Sequence, residues 1–511
     1  MEGDCSGNVC RTGSDHEGSA ACVQLLKLPT DAKLGEDGST TALWDGQQFV
    51  LEDIGESWWS SARFFWRYGY SPVTARNLVK KLKDDFLQLY KPQFLNAVES
   101  DKRNRNHTVH GYPWPSIESL SRTLDFQDAA ATDARTWFYG KGVSQLFVDE
   151  LIEAATRVNY GQNADKIHAV GAGVSLAASG AAGIRGGNYQ LFSELLARSN
   201  ARVHVGERGE VTGVIRYNGP AEAVAAGKLP ASAFTQEQLS SREAKWWVGT
   251  ANDTGGLYDA VFIAAPWHSA GITLLNTEAN IPSSQYVRLH VTLLVTNASH
   301  PKAEYFGRGS GSDIPTTILT THEAQRRMEK GQKAESNESQ LSWWHRLVSH
   351  RHASKDSADQ TLRLDFNSLN YLAKLPYQRK GTSSRDHVVK IFSPQPMTEE
   401  QLNSLFGTQT IGWIYRQEWD AYPELKPTRR FAPVSPDDGL FYINAMETLV
   451  STMETSTVAS RNAVALQLKK WFGLDFVVGR DCHFSSTSAE DVKDGEGDMR
   501  DGWDGWGCTA G

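Results

Sequence analysis

From Val287 to Val295 every second residue is apolar: Val287, Leu289, Val291, Leu293 and Val295 alternate with Arg288, His290, Thr292 and Leu294. A period of two over nine residues is a half-buried strand, so the chain must build a sheet with a covered face. An equally plain helical period stands upstream. Leu78, Leu82, Phe86 and Leu89 recur at i, i+4, i+8 and i+11, with Lys80, Lys81, Lys83, Asp84 and Asp85 between them and Pro72 just before;. Two further amphipathic helices are expected, one carrying Val143, Leu146, Phe147, Leu151, Ala154, Ala155 and Val158. The other runs from Tyr189 through Leu191, Phe192, Leu195 and Leu196 after Gly186-Gly187. Helices and strands in one chain without a regular βαβ rhythm predict a mixed α/β (α+β) fold.

Other strands are short. Ala42 to Val50 reads as strand, turn and strand;. Arg202 to Val205 and Val211 to Ile215 bracket Gly206-Glu207-Arg208-Gly209, a hairpin signal;. Tyr258 to Ala265 stops at Pro266, and Val388 to Phe392 and Leu440 to Ile443 complete the set. Pro220 to Glu243, Thr321 to Gln360 and Phe484 to Gly511 hold too few apolar residues to offset chain entropy, and are expected to be unstructured;.

Composition narrows the function classes. The 511 residues include 60 Asp+Glu against 52 Lys+Arg, a net charge of −8 that argues against a nucleic-acid partner;. No window approaches eighteen consecutive apolar residues, so no spanning helix is expected;. Five cysteines in so long a chain do not make a disulfide framework;. Adjacent Cys482-His483 is too little for zinc, and His345, His350 and His352 do not share a helical face, so no metal is expected;. The first forty residues lack the basic-then-apolar layout of a signal peptide, which as written places the chain in the cytosol;.

Gly171-Ala172-Gly173 resembles the start of a dinucleotide loop. Leu176 stands where the third glycine is needed, so a flexible Gly/Ala connection between helices is preferred;. No nucleophile–base arrangement stands out from background. Trp58, Trp59, Phe64, Phe65, Trp66, Tyr68 and Tyr70 form the densest aromatic run, either core or the wall for a long apolar ligand;. Asp438 to Ala445 is a strand entering a turn, and a helix opens at Thr452-Met453-Glu454-Thr455. Two readings stand side by side there. The helix N-terminus stabilises anionic oxygens, or the segment is an ordinary strand–helix unit capped by Thr452.

Several blocks together resemble the prenylcysteine oxidase (prenylcysteine lyase) family. They are Phe65-Trp66-Arg67-Tyr68-Gly69, Arg157-Val158-Asn159-Tyr160-Gly161-Gln162, Gly186-Gly187-Asn188 and Pro315 to Thr321. Glu418 to Pro423, Leu440-Phe441-Tyr442, Ser451 to Thr455 and Ala459-Ser460-Arg461-Asn462 follow in family order. The resemblance implies a Rossmann-like flavoprotein of the amine oxidase/desaturase type that uses FAD. Its implied reaction cleaves farnesyl- or geranylgeranyl-cysteine to cysteine, a prenyl aldehyde and hydrogen peroxide. Hydride passes from the prenyl C1 to flavin N5, water adds, the hemithioacetal collapses and O₂ reoxidises the flavin.

Carried over by position, the FAD contacts are Val205, Ala265, Asn444, Ala445, Glu447, Thr452, Met453 and Glu454. Substrate contact falls to Phe65, Trp66, Tyr68 and Tyr160; Trp267 and His268 follow Pro266 with no assigned role. The implied division is 1–41 outside the family pattern, 42–200 a mostly helical substrate region, and 201–270 the remaining FAD-binding strands. A substrate domain over 271–430 contains the insertion 321–360, then come a FAD-contacting strand–helix over 431–479 and a tail over 480–511. The family's opening βαβ unit, with its Gly-x-Gly-x-x-Gly turn and acidic ribose ligand, is missing, which predicts an incomplete nucleotide-binding end;. A cofactor-free prenyl-ligand binding homologue, and a flavin amine oxidase or desaturase with another substrate, remain open beside this reading. The resemblance places the protein in the lysosome, vacuole or secretory pathway, and Asn106, Asn252, Asn297 and Asn337 head glycosylation sequons;.

Overall fold

The alternating segment lies at the heart of the largest sheet. The computed structural model describes residues 30–31, 40–52, 64–90, 112–177, 183–252, 254–322, 364–375 and 385–473. Strand β10 (Tyr286–Thr296) lies between β14 (Ile411–Pro423) and β13 (His387–Ser393), antiparallel to both. The sheet continues through β12 (Ser368–Lys374), β11 (Thr317–Thr320), β2 (Thr41–Trp44) and β3 (Phe49–Glu52). Within it only β11 and β2 run parallel. A second sheet has the order β7 (Gly255–Tyr258), β6 (Ala244–Thr250), β5 (Val211–Asn218), β9 (Thr273–Leu275). Strands β8 (Val261–Ile263) and β15 (Leu440–Tyr442) form a parallel pair, and β1 (Thr30–Asp31) meets β4 (Gly183–Ile184) over two residues. Sheets and helices together make the mixed α/β fold that the two hydrophobic periods require.

Two cores result. Leu294 of β10, Val389 and Ile391 of β13 and Leu369 and Tyr371 of β12 share one face of the large sheet, covered by Leu402, Leu405 and Phe406 of the Glu399–Phe406 helix. The larger core gathers the helices between residues 71 and 177, Trp246 of β6 and the segment from Leu440 to Val450. Its central contact joins the Ser71–Leu87 and Ala169–Ala177 helices. A Cβ on Gly173 would stand 2.7 Å from Leu82 Cδ1, so glycine there permits the close approach;. The expected helix around Val143 to Val158 runs as Gln145–Phe147, a π segment Val148–Ile152, and Glu153–Tyr160.

Four local expectations are corrected. Residues 202–205 are coil, because both edges of β5 are occupied, by β6 and by β9, and no hairpin can form. Gly171 and Gly173 are buried in a helix, not in a flexible connection; the high glycine content is tolerated because tertiary packing decides;. Residues 220–243 are not wholly unstructured. Helix Pro220–Ala225 starts with proline in its first turn and buries Ala223, and helix Gln236–Ser240 closes a capping box between Thr235 and Gln238;. The single strand expected from Tyr258 to Ala265 divides into β7 and β8, which belong to different sheets. The histidines at 345, 350 and 352 and the tail beyond 473 lie outside the described residues.

Candidate functional site

Strands β8 and β15 pair in register, Leu440 with Val261, Phe441 with Phe262 and Tyr442 with Ile263, so both release the chain at one end. Beyond the carboxyl ends of parallel strands is where an α/β fold opens a crevice. β8 leads through Ala264, Ala265 and Pro266 into a turn at Trp267–Ser269, whose first N–H donates to the Tyr442 hydroxyl at 3.3 Å. β15 leads through a 3₁₀ segment Ile443–Thr448 into the 20-residue helix Met453–Phe472. At the other end Gly439 has φ +74°, and a Cβ there would stand 3.0 Å from the Asp259 carbonyl oxygen. Gly439→Ala is therefore expected to cost about 1–3 kcal/mol through left-handed backbone and crowding, read as a lower melting temperature.

The loop between β15 and the helix is held by side chains from three directions. His168, wholly buried, accepts the Gly171 N–H on Nδ1 at 3.1 Å, which leaves Nε2 to donate to the Thr448 carbonyl at 3.1 Å;. Burial holds its pKa down at about 4;. The Tyr160 hydroxyl, raised in pKa by burial, donates to the Ser451 carbonyl at 3.0 Å. Thr452 caps the helix by accepting the Thr455 N–H at 3.1 Å, and Thr455 Oγ1 returns a bond to the Val450 carbonyl at 2.9 Å. Thus the backbone just before the helix N-terminus is fixed, and the first-turn N–H groups carry the positive end of its dipole.

Polar side chains gather beside this loop. Tyr286, the first residue of β10, donates its hydroxyl to Glu447 Oε2 at 2.6 Å; burial and then that bond raise the phenol pKa. The His268 ring lies 4.3 Å from the Tyr286 ring, centroid to centroid, and its Nε2 is 3.1 Å from Asp420 Oδ2. Arg288 bonds Asp420 Oδ1 at 3.0 Å and Glu418 Oε1 at 2.7 Å. The bond to His268 and then that to Arg288 hold the Asp420 carboxyl below its usual range, and Arg288 does the same for Glu418;. The arrangement supplies ordered donors and acceptors next to a helix N-terminus, with a histidine poised between a tyrosine and a carboxylate.

Of the residues expected to hold FAD, Ala265, Asn444, Ala445, Glu447, Thr452, Met453 and Glu454 lie on the two strand exits and the helix start. Val205 does not join a strand; it is 79% exposed in the coil before the turn Gly206–Arg208. The substrate residues separate. Trp66 is 92% exposed and Phe65 half exposed, Tyr68 turns inward to Glu150, and Tyr160 meets Ser451. Sequence reasoning passed over His168, Tyr286, Arg288 and Asp420. Arg288 and Asp420 meet through the β10–β14 register, which no local pattern displays.

These residues fit the ring end of a flavin, where a helix N-terminus and a strand exit converge. Among the described residues no strand–Gly-rich turn–helix unit adjoins β15, whose partner is β8 alone.

A family model described as prenylcysteine lyase matches residues 51–476. The chain belongs to the prenylcysteine lyase family. It is 26% identical over 463 residues to a farnesylcysteine lyase of Arabidopsis thaliana, covering 87% of this chain and 73% of that one. It is 24% identical over 494 residues to prenylcysteine oxidase 1 of Homo sapiens, covering 94% and 84%. Among solved structures, a redesigned putrescine oxidase aligns with TM-score 0.44 at 9% identity, covering 87% of this chain and 85% of that one.

In this member of the prenylcysteine lyase family, the blocks that carry the likeness are tied to one another. Arg157, buried, donates to Thr320 Oγ1 at 3.1 and 3.0 Å and to Asn367 Oδ1 at 2.8 Å. Gln162 accepts the Leu425 N–H at 2.9 Å and donates to the Pro423 carbonyl at 3.3 Å. Asn462 bonds both backbone groups of Trp114, at 2.7 and 3.0 Å. Tyr160 packs edge-on against Tyr422. These side chains lock the helical layer onto the sheet and onto the loop that ends at Thr452.

Proposed function

We propose that this protein oxidises the thioether of S-prenylcysteine at the joined ends of β8 and β15, with a flavin ring beside the Met453 helix start. The observation that carries the reading is the immobilised β15–loop–helix passage, met in a prenylcysteine lyase family chain by Tyr286–Glu447 and His268–Asp420. A bound flavin supplies the acceptor for hydride from the carbon next to sulfur. The chain's own residues do the positioning. His168, Tyr160 and Thr455 fix the backbone before the helix, whose N–H groups favour negative charge;. His268, paired with Asp420, can take or return a proton near the strand exit;.

Activity is expected to depend on FAD. Incubation with S-farnesylcysteine in air, with and without FAD, tests this by release of free cysteine and peroxide. FAD-dependent release is the expected result. No release under either condition overturns the reading, and turnover of a polyamine in place of the thioether would assign an amine oxidase.

A further inference from the structure

The large sheet has a second face, opposite the one that buries Leu294. Alternation along β10 turns Val291, Leu293 and Val295 to it;. Register places Lys390 of β13 and Tyr415 of β14 on either side of Leu293, in one row across three strands. Trp413 and Trp419 stand further along β14, the sheet's edge strand, and with Tyr415 they are each about half exposed. Trp413 and Tyr415 lie parallel, 6.2 Å apart. From Trp413 to Trp419 the strip spans about 20 Å at the rise of an extended strand.

Lys390 is the anomaly on this surface. It is half buried, its ammonium lies 4.6 Å from the centre of the Phe392 ring, and no described carboxylate pairs with it. A lysine that lays its stem on apolar surface normally keeps its head in water or on a counter-ion. Burial lowers the Lys390 pKa;. A largely apolar strip, interrupted by Gln417, which accepts the Tyr415 hydroxyl at 2.7 Å, with one such cation is complementary to a molecule with a long apolar chain and a single carboxylate.

We propose that this sheet face binds S-prenylcysteine, its isoprenoid chain along β10 and the β14 aromatics and its carboxylate on Lys390. The inference rests on the proposed function for the identity of the ligand. Tyr286 and Arg288 point to the other face, so the strip is a holding site apart from the site of oxidation;.

Equilibrium dialysis of the full chain with labelled S-farnesylcysteine tests it, alongside N-acetyl-S-farnesylcysteine, the S-farnesylcysteine methyl ester and palmitate. Lys390→Met is expected to weaken binding of the two acids about tenfold, as loss of a charge-assisted hydrogen bond should. Lys390→Arg should restore it. The ester should bind weakly to the wild type and equally to Lys390→Met, while Trp413→Ser should weaken acid and ester alike. Unchanged acid binding in Lys390→Met, or palmitate competing as well as S-farnesylcysteine, overturns the proposal. Cysteine release at saturating substrate is measured in the same proteins. Release with Lys390-independent binding sinks the holding site and leaves the function standing; a wild type that neither binds nor releases sinks both.

Discussion

Glu150→Ala is expected to destabilise the protein by about 3 kcal/mol, the larger part from a tyrosine hydroxyl left buried without an acceptor. Glu150 is wholly buried in the π segment and takes three donors: Arg67 Nε at 2.9 Å, Arg67 Nη2, and the Tyr68 hydroxyl at 2.5 Å. Tyr68 itself is buried, and its phenol pKa is raised first by burial and then by this bond. Stranding a buried hydroxyl costs about 1–3 kcal/mol. Breaking a fully buried ion pair costs about 3–5 kcal/mol, but Arg67 is about one-third exposed and can turn to water, so that figure is an upper limit;. Urea unfolding measures the effect as a lower midpoint at unchanged slope. Glu150→Gln keeps an acceptor for Tyr68 and should cost less. A Glu150→Ala midpoint equal to that of the wild type would show that Arg67 and Tyr68 find other partners at no cost.

That pair also shows what the sequence could and could not display. The aromatic run around Phe65 was readable as core or as a ligand wall, and the structure divides it: Tyr68 is core, Trp66 is surface. The division follows helical geometry. Residues two apart in a helix point in nearly opposite directions, so a dense run cannot all face one way. Elements with a strong local period were legible for the same kind of reason. The i, i+4 spacing of Leu78 to Phe86 and the alternation of Val287 to Val295 became the helix and the strand they predicted, but the strand's burial direction is reversed over its second half, where Thr292, Leu294 and Thr296 are buried and Val291, Leu293 and Val295 only half-buried. The hairpin at 202–215 failed because a turn signal says nothing about which edge a strand will find. β6 and β9 took both edges of β5.

The site was legible only where it is contiguous. Leu440 to Thr455 announces a strand, a turn and a capped helix in sequence order, and the structure has all three. Its supports come from far away along the chain: His168 lies 280 residues from Thr448 and Tyr286 161 residues from Glu447. No spacing rule connects such partners. Several of the blocks that made the family recognisable turn out to be those distant supports, Tyr160 on Ser451 and Arg157 on Thr320 among them. A family likeness can thus reside in the ties that place a site as much as in the groups that act there.

One of these distant supports makes the protein acid-sensitive in a definite window. His168 donates to Thr448 from Nε2 and accepts from Gly171 on Nδ1, an arrangement open only to neutral imidazole;. Its folded pKa is about 4, lowered by burial, against an ordinary value near 6.5;. The sign follows from proton uptake. As pH falls through 6.5 the unfolded chain protonates this residue and the folded chain does not, so the unfolded state gains. The contribution is whole above pH 6.5, shrinks as pH falls, and is lost near pH 4, where the folded residue also protonates;. A gap of about 2.5 pH units corresponds to about 3 kcal/mol. His168→Gln offers one acceptor and one donor in place of the imidazole and cannot be protonated in this range. Carboxylates add their own acid dependence, but equally in both proteins. The stability of the wild type should therefore fall more steeply than that of His168→Gln between pH 6.5 and 4, by about 3 kcal/mol over the interval. Denaturation at a series of pH values reads the difference directly. Parallel curves would mean that His168 protonates in place, and that Thr448 is not held by a neutral ring.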